Sequence, residues 1–278
     1  MSPRRPHRAR LLLVSCACVL WAACRIGNPR PELPSTSTWR LVLEEEFEGA
    51  AGQPPSPQRW RYDVGGDGWG NAQLEHNTNR TENVSLDGQG HLAITARREA
   101  FQGNAYTSGR ILTKGLFTHQ YGRFEARIRL PSGRGLWPAF WMLGANFDTV
   151  GWPECGELDL MEYRGQEPGI VLGSMHGPGY SGGAAVSGRY ILPNGGRFDT
   201  DFHVFAIEWT SEQVTWFVDG QPYQVVTRSQ VPGRWVFDQP FFILLNVAVG
   251  GNLVGPPDAS TTFPQQMLVD YVRVYEGA

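Results

Sequence analysis

Three acidic side chains fall within six residues in Gly156-Glu157-Leu158-Asp159-Leu160-Met161-Glu162-Tyr163. The segment alternates like a strand, placing Leu158 and Leu160 on one face and Glu157 and Asp159 on the other. Strict alternation would turn Glu162 away. It joins the other acids only if one extra residue is taken up around Leu160 and Met161, which is what a β-bulge does. Like charges on one face repel, so such a group is expected to share protons or to hold a cation. With Asp159 between them, Glu157 and Glu162 could have their proton affinities driven apart, one ionised as nucleophile and the other protonated as acid. That is the arrangement glycosidic cleavage requires. A solvated acidic strand edge or a calcium site would use the same three residues, and the spacing alone leaves these alternatives open.

The neighbouring sequence is aromatic. Trp137-Pro138-Ala139-Phe140-Trp141 sets two tryptophans four apart, so a strand there would show both indoles on one side and Phe140 on the other. Exposed indoles offer flat apolar surfaces for sugar rings, whereas buried ones are core. The chain has 10 tryptophans, and Trp60, Trp69, Trp152, Trp209 and Trp216 lie near polar or Gly-rich turns, which favours an aromatic-lined groove.

Such side chains need a rigid frame, and the sequence supplies one made of short strands. Apolar or alternating runs at 91–96, 110–112, 121–130, 139–143, 157–163, 170–176, 203–210, 214–218, 223–226, 241–249 and 267–275 are broken by Gly, Pro, Asn and Asp, and none sustains a 3.6-residue period. Phe124, Ala126, Ile128 and Leu130 share one face of their run and Arg123, Glu125, Arg127 and Arg129 the other, which predicts a half-buried strand with a solvated charged face. Asp219-Gly220 between two runs predicts a tight hairpin. The pattern is all-β, a sandwich or barrel, with no βαβ alternation and no internal repeat.

The full chain has 278 residues, 41% of them hydrophobic, enough for a core. A formal net charge of −3, with no basic run beyond the N-terminus, excludes a nucleic-acid partner. Arg4, Arg5, Arg8 and Arg10 precede an apolar run from Leu11 to Ala23, which predicts an export signal over residues 1–24. Leu20-Trp21-Ala22-Ala23-Cys24 resembles a lipoprotein cleavage box, so plain secretion and a lipid anchor at Cys24 both stay open. A Pro/Ser/Thr-rich tether follows at 25–38, and a single domain occupies 39–278, where Cys155 is the sole cysteine and no disulfide can form.

The motif Glu157-x-Asp159-x-x-Glu162 resembles the catalytic signature of glycoside hydrolase family 16, in the bulge-bearing form of its endo-β-1,3-glucanases, the laminarinases. Trp69-Gly70-Asn71, Ser108-Gly109-Arg110, Gly135 to Gly144, Trp152-Pro153, His176-Gly177-Pro178-Gly179-Tyr180, Asn246 with Gly250-Gly251-Asn252, and Val269 to Tyr275 extend the resemblance over the whole domain. It implies a concanavalin-like β-jelly-roll of two curved antiparallel sheets, with Glu157 as nucleophile, Glu162 as acid/base and Asp159 assisting. It also implies that Asn71, Arg110, Trp137, Trp141, Trp152 and His176 line the sugar cleft. After Asn71, however, the order Ala-Gln-Leu-Glu-His-Asn departs from many relatives, which puts subsite roles for Gln73, Glu75 and His76 in doubt.

No cofactor is implied for catalysis, but some members hold a structural Ca²⁺, whose ligands here would be Glu46, Gly90 and Asp270. The expectation is a monomeric, retaining endo-β-1,3-glucanase acting on β-glucan, secreted or held by lipid at the outer surface of a bacterial cell. The alternatives are a relative acting on mixed-linkage glucan or a galactan, and a non-catalytic β-glucan-binding protein.

Overall fold

The computed structural model describes residues 39–277; the predicted export signal and the tether lie outside the described residues. Two sheets form a sandwich of the jelly-roll type. Seven strands make the sheet that carries the acids, in the order 186–191, 170–176, 157–163, 136–144, 241–249, 110–112, 61–62. The other sheet has ten strands, with 122–129 and 265–277 at its centre, 203–209, 213–218 and 221–227 on one side, 92–101, 104–108 and 75–77 on the other, and 39–45 and 84–86 added as further partners of 265–277 and 92–101, respectively. Pairing is antiparallel except between Glu75–Asn77 and Asn104–Ser108, which run parallel.

The two sheets bury one main core, including Phe124, Ile128, Phe140, Met142, Leu158, Leu160, Phe205, Trp216 and Val272. The expected alternation is seen along Leu136–Gly144, where Phe140 and Met142 are fully buried and Trp137 and Trp141 are only partly so. Phe241–Val249 is buried along its whole length, as its almost unbroken apolar run requires. The Asp219-Gly220 hairpin forms with both residues at positive φ, 50° and 76°.

Three expectations are corrected. Trp60, Trp209 and Trp216 are core side chains rather than groove lining, since each lies inside the sandwich at no more than 2% exposure. The charged face of Gly122–Arg129 is solvated only at its Arg129 end. Arg123 and Glu125 are buried against each other at 2.9 Å, Arg123 also meets Glu208, and Phe217 covers the Arg123 guanidinium. Opposite charges in register allow a polar face to be covered, which period-2 reading cannot foresee. Finally, strands at Trp39–Glu45, Arg61–Tyr62, Glu75–Asn77, Val84–Leu86, Asn104–Ser108 and Val186–Ile191 lie outside the predicted runs, because they are very short or polar residues leave them no sustained apolar alternation.

Candidate active site

The bulge is present and lies where the acids need it. Asp159 pairs with Trp141 on one side and Ser174 on the other, and the register then slips, so that Met161 faces Phe140 and Glu162 faces Ala139 and Leu172. The extra residue turns Glu162 back to the face of Glu157 and Asp159, while Leu158, Leu160 and Met161 all enter the core. Glu157, Asp159 and Glu162 thus share the outward face of the seven-stranded sheet.

Hydrogen bonds fix all three. The backbone N–H of Gly182 donates to Nδ1 of His176 at 3.1 Å, so the ring proton sits on Nε2 and donates to Oδ2 of Asp159 at 2.9 Å. Asp159 and Glu157 share a hydrogen bond, and two carboxyls so joined hold one proton between them. By itself that bond raises Glu157 and lowers Asp159, so Glu157 donates the shared proton and Asp159 accepts from both Glu157 and His176, which makes Asp159 the centre of the relay. Trp152 donates its indole N–H to Oε2 of Glu157 at 2.6 Å. Glu162 accepts from Trp137 Nε1 at 3.0 Å and from the Ser174 hydroxyl at 3.3 Å, and Ser187 supports Ser174 at 2.9 Å.

The group is poorly solvated, and burial raises all three carboxyls. Burial and then the charge of Asp159 push Glu157 up to about 8. Asp159 rises well above the usual carboxylate range through burial and then Glu162, and Glu162 rises through burial and then Glu157. The cluster therefore keeps protons at neutral pH, as a site that must both attack and protonate requires.

Aromatic and cationic groups extend the same face. Trp141 donates to Oδ1 of Asn246 at 2.8 Å, and the Arg110 guanidinium lies between the rings of Trp141 and Trp69, 4.8 and 4.7 Å from their centroids. Asp63 holds Arg110 from the side at 3.1 Å. Exposed Asn71 is tied to the segment after strand 241–249 by the bond from Asn252 N–H to its carbonyl, at 2.8 Å. That segment passes so close to Trp137 that a Cβ on Gly251 would come within 3.1 Å of both the indole and the Asn71 carbonyl. A second apolar cluster of Leu112, Leu143, Cys155, Phe242 and Leu244, with Phe147 packed on it, anchors the loop at 145–156, on which Trp152 stands 44% exposed.

Residues 71–273 match the sequence pattern described as glycosyl hydrolases family 16. The chain belongs to that family. A beta-glucanase of Rhodothermus marinus is 43% identical over 269 residues, 92% of this chain and 91% of that protein. Among solved structures, the laminarinase catalytic domain of Thermotoga maritima superposes with a TM-score of 0.82 at 45% identity, covering 87% of this chain and all of that one. The endo-β-1,3-glucanase of Pyrococcus furiosus gives 0.82 at 46% identity, with 86% of this chain and 95% of that one covered.

All six cleft residues expected for this family 16 chain stand on or beside the acid-bearing face. Glu157, Asp159 and His176 bring possible ligand atoms within 4.8 Å of one another. Yet His176 Nε2 carries the proton that it gives to Asp159, so the trio is arranged as donors and acceptors rather than as metal ligands. The expected calcium ligands lie elsewhere, with Asp270 on the ten-stranded sheet. Their oxygens suit the ion in kind, but Arg273 is 2.8 Å from Glu46 and Arg127 is 2.7 Å from Asp270, and both guanidinium groups compete with it.

Sequence reasoning missed Ser174 and Asp63 as partners of the site, and took Asn246 only as part of the resemblance, without a role. Asn246 alone carried a signal, as the one polar residue in an apolar strand. Of the doubtful trio, Glu75 is fully buried beneath the cleft and accepts the Val249 N–H at 2.7 Å, and His76 and Gln73 are buried beside it.

Proposed function

We propose that the chain is an endo-β-1,3-glucanase that hydrolyses β-glucan with retention of configuration. The observation that carries this reading is the placing of Glu157, Asp159 and Glu162 on one face by the bulge, within a cleft edged by Trp137, Trp141 and Trp152. The enzymes named above as a laminarinase and an endo-β-1,3-glucanase support the choice of linkage. Glu157 attacks the anomeric carbon as the carboxylate, with its shared proton passed to Asp159 and the Trp152 N–H bonded to Glu157. The glycosidic C–O bond breaks as Glu162 gives its proton to the departing oxygen, leaving the sugar as an ester of Glu157. Glu162 then takes a proton from water, the water oxygen bonds to the anomeric carbon, and the ester bond breaks to restore Glu157. Asp159 takes up the proton shared with Glu157 while Glu157 attacks, and then donates toward the Glu157 oxygen as the ester bond breaks, which eases the charge that appears there.

The reading includes export by the segment at 1–24 and, at Glu46, Gly90 and Asp270, a structural calcium whose removal changes stability and not the chemistry. The alternative substrate for the same site is mixed-linkage glucan. A product profile on laminarin, lichenan, agarose and carrageenan tests the substrate class. Short β-1,3-linked oligosaccharides from laminarin are expected, and turnover confined to the galactans would overturn the assignment.

A further inference from the structure

The bulge that sets the acid pair is held from the other side of the sandwich. Trp216, on strand Gln213–Val218 of the ten-stranded sheet, is fully buried and sends its indole N–H across the core to the backbone carbonyl of Asp159 at 2.8 Å. Asp159 is the last residue before the register slips. A bulge interrupts the ladder, and a carbonyl at such a point must find another donor if it is buried. A second feature fits the same contact. Gly173 lies between Leu172, which pairs with Glu162, and Ser174, which pairs with Asp159, and so stands opposite the extra residue. A Cβ on Gly173 would fall 2.8 Å from Trp216 Nε1 and closer still to Trp216 Cδ1 and the Tyr223 hydroxyl. The partner strand has given up its side chain where the indole approaches.

We infer that Trp216 is a positioning residue for the reaction: its N–H pins the start of the bulge at Asp159 and thereby sets Glu162 relative to Glu157. Before the bulge, Glu157 and Asp159 are placed by regular pairing with Leu143 and Trp141. Only Glu162 depends on where the extra residue is absorbed. Without the indole donor the Asp159 carbonyl must seek a ladder partner, the bulge can migrate, and Glu162 loses its place first. The inference rests on the proposed roles of the two glutamates and adds a residue buried outside the cleft.

The test uses Trp216→Phe, which keeps an aromatic ring and removes the N–H, and Gly173→Ala, which displaces the indole. Two substrates are compared by kcat/KM: laminarin, whose leaving group needs the Glu162 proton, and a 2,4-dinitrophenyl β-glucoside of a laminari-oligosaccharide, whose leaving group does not. Both variants should lose about tenfold or more on laminarin and less than about threefold on the aryl substrate, since misplacement of a reacting group by about an ångström is costly. Affinity for laminari-oligosaccharides should stay within twofold of wild type. If Trp216→Phe fails to fold, 3-benzothienylalanine at position 216, which replaces the ring N–H by sulfur in the same shape, gives the same reading. Variants that lower the melting temperature but keep the wild-type ratio between substrates would make Trp216 a core filler and overturn the inference. Failure of the underlying reading looks different: Glu157→Gln would remain active, or wild type would invert configuration.

Discussion

His176 donates from Nε2 to Oδ2 of Asp159 at 2.9 Å because the Gly182 N–H occupies its other ring nitrogen at 3.1 Å. A histidine ring that can only donate on one side fixes the Asp159 end of the relay, where Asp159 shares one proton with Glu157. His176→Ala should lower kcat on laminarin by about tenfold to a hundredfold, the effect of losing one hydrogen bond to an ionisable group, with little change in KM. Steady-state kinetics would settle it. An unchanged kcat would mean that the relay plays no part.

The two cleft tryptophans have different second partners and should fail differently. Trp141 is bonded to Asn246, whereas Trp137 is bonded to Glu162. Trp141→Ala should weaken binding of laminari-oligosaccharides by about 1–3 kcal/mol, by analogy with stacking on bases, and spare kcat. Trp137→Ala should lower kcat as well. Calorimetry with steady-state rates separates the two, and equal effects of both variants on kcat would contradict the structure.

Glu75 makes stability depend on pH. Burial lifts it from 4.5 to about 7, against the opposing pull of the Val249 N–H and Arg110. Folding therefore favours its protonated form. That contribution is complete below pH 4.5 and is lost as pH rises through about 7. Compared with Glu75→Gln, wild type should lose up to about 3 kcal/mol more between pH 5 and pH 8. Denaturant unfolding at the two pH values measures the difference, and parallel behaviour would mean that Glu75 does not titrate there.

Much of this site could be read from residue types and spacing. The need for a bulge followed from Glu157, Asp159 and Glu162, and the shared face of Trp137 and Trp141 followed from their separation. Other features depended on partners distant in sequence. Trp216 and Trp209 sit near turns just as Trp69 and Trp152 do, and only the packing of the second sheet sends the first pair inward. Arg123 and Glu125 looked solvated because their alternation is that of an exposed face, and Glu208 and Phe217 come from other strands to cover them. No local pattern announces that Glu75 lies beneath the cleft.

The calcium proposal predicts a modest effect. Arg273 and Arg127 already stand beside Glu46 and Asp270, so an ion adds to charge that is partly compensated. Chelation should lower the melting temperature by a few degrees at most, about 1 kcal/mol for a chain of this size, and leave the initial rate at low temperature unchanged. A melting temperature insensitive to both chelator and added calcium would remove the ion from the account, and loss of the low-temperature rate would place it in the chemistry instead.

The central claim is that Glu157 attacks and Glu162 protonates across one bulge, and the anomer formed first by wild type tests it most directly. Proton NMR of laminari-oligosaccharide hydrolysis, followed faster than mutarotation, should show the β-anomer appear first and the α-anomer only later as the sugar equilibrates. An α-anomer that appears first would mean that water attacks the sugar directly, and Glu157 could not be the nucleophile.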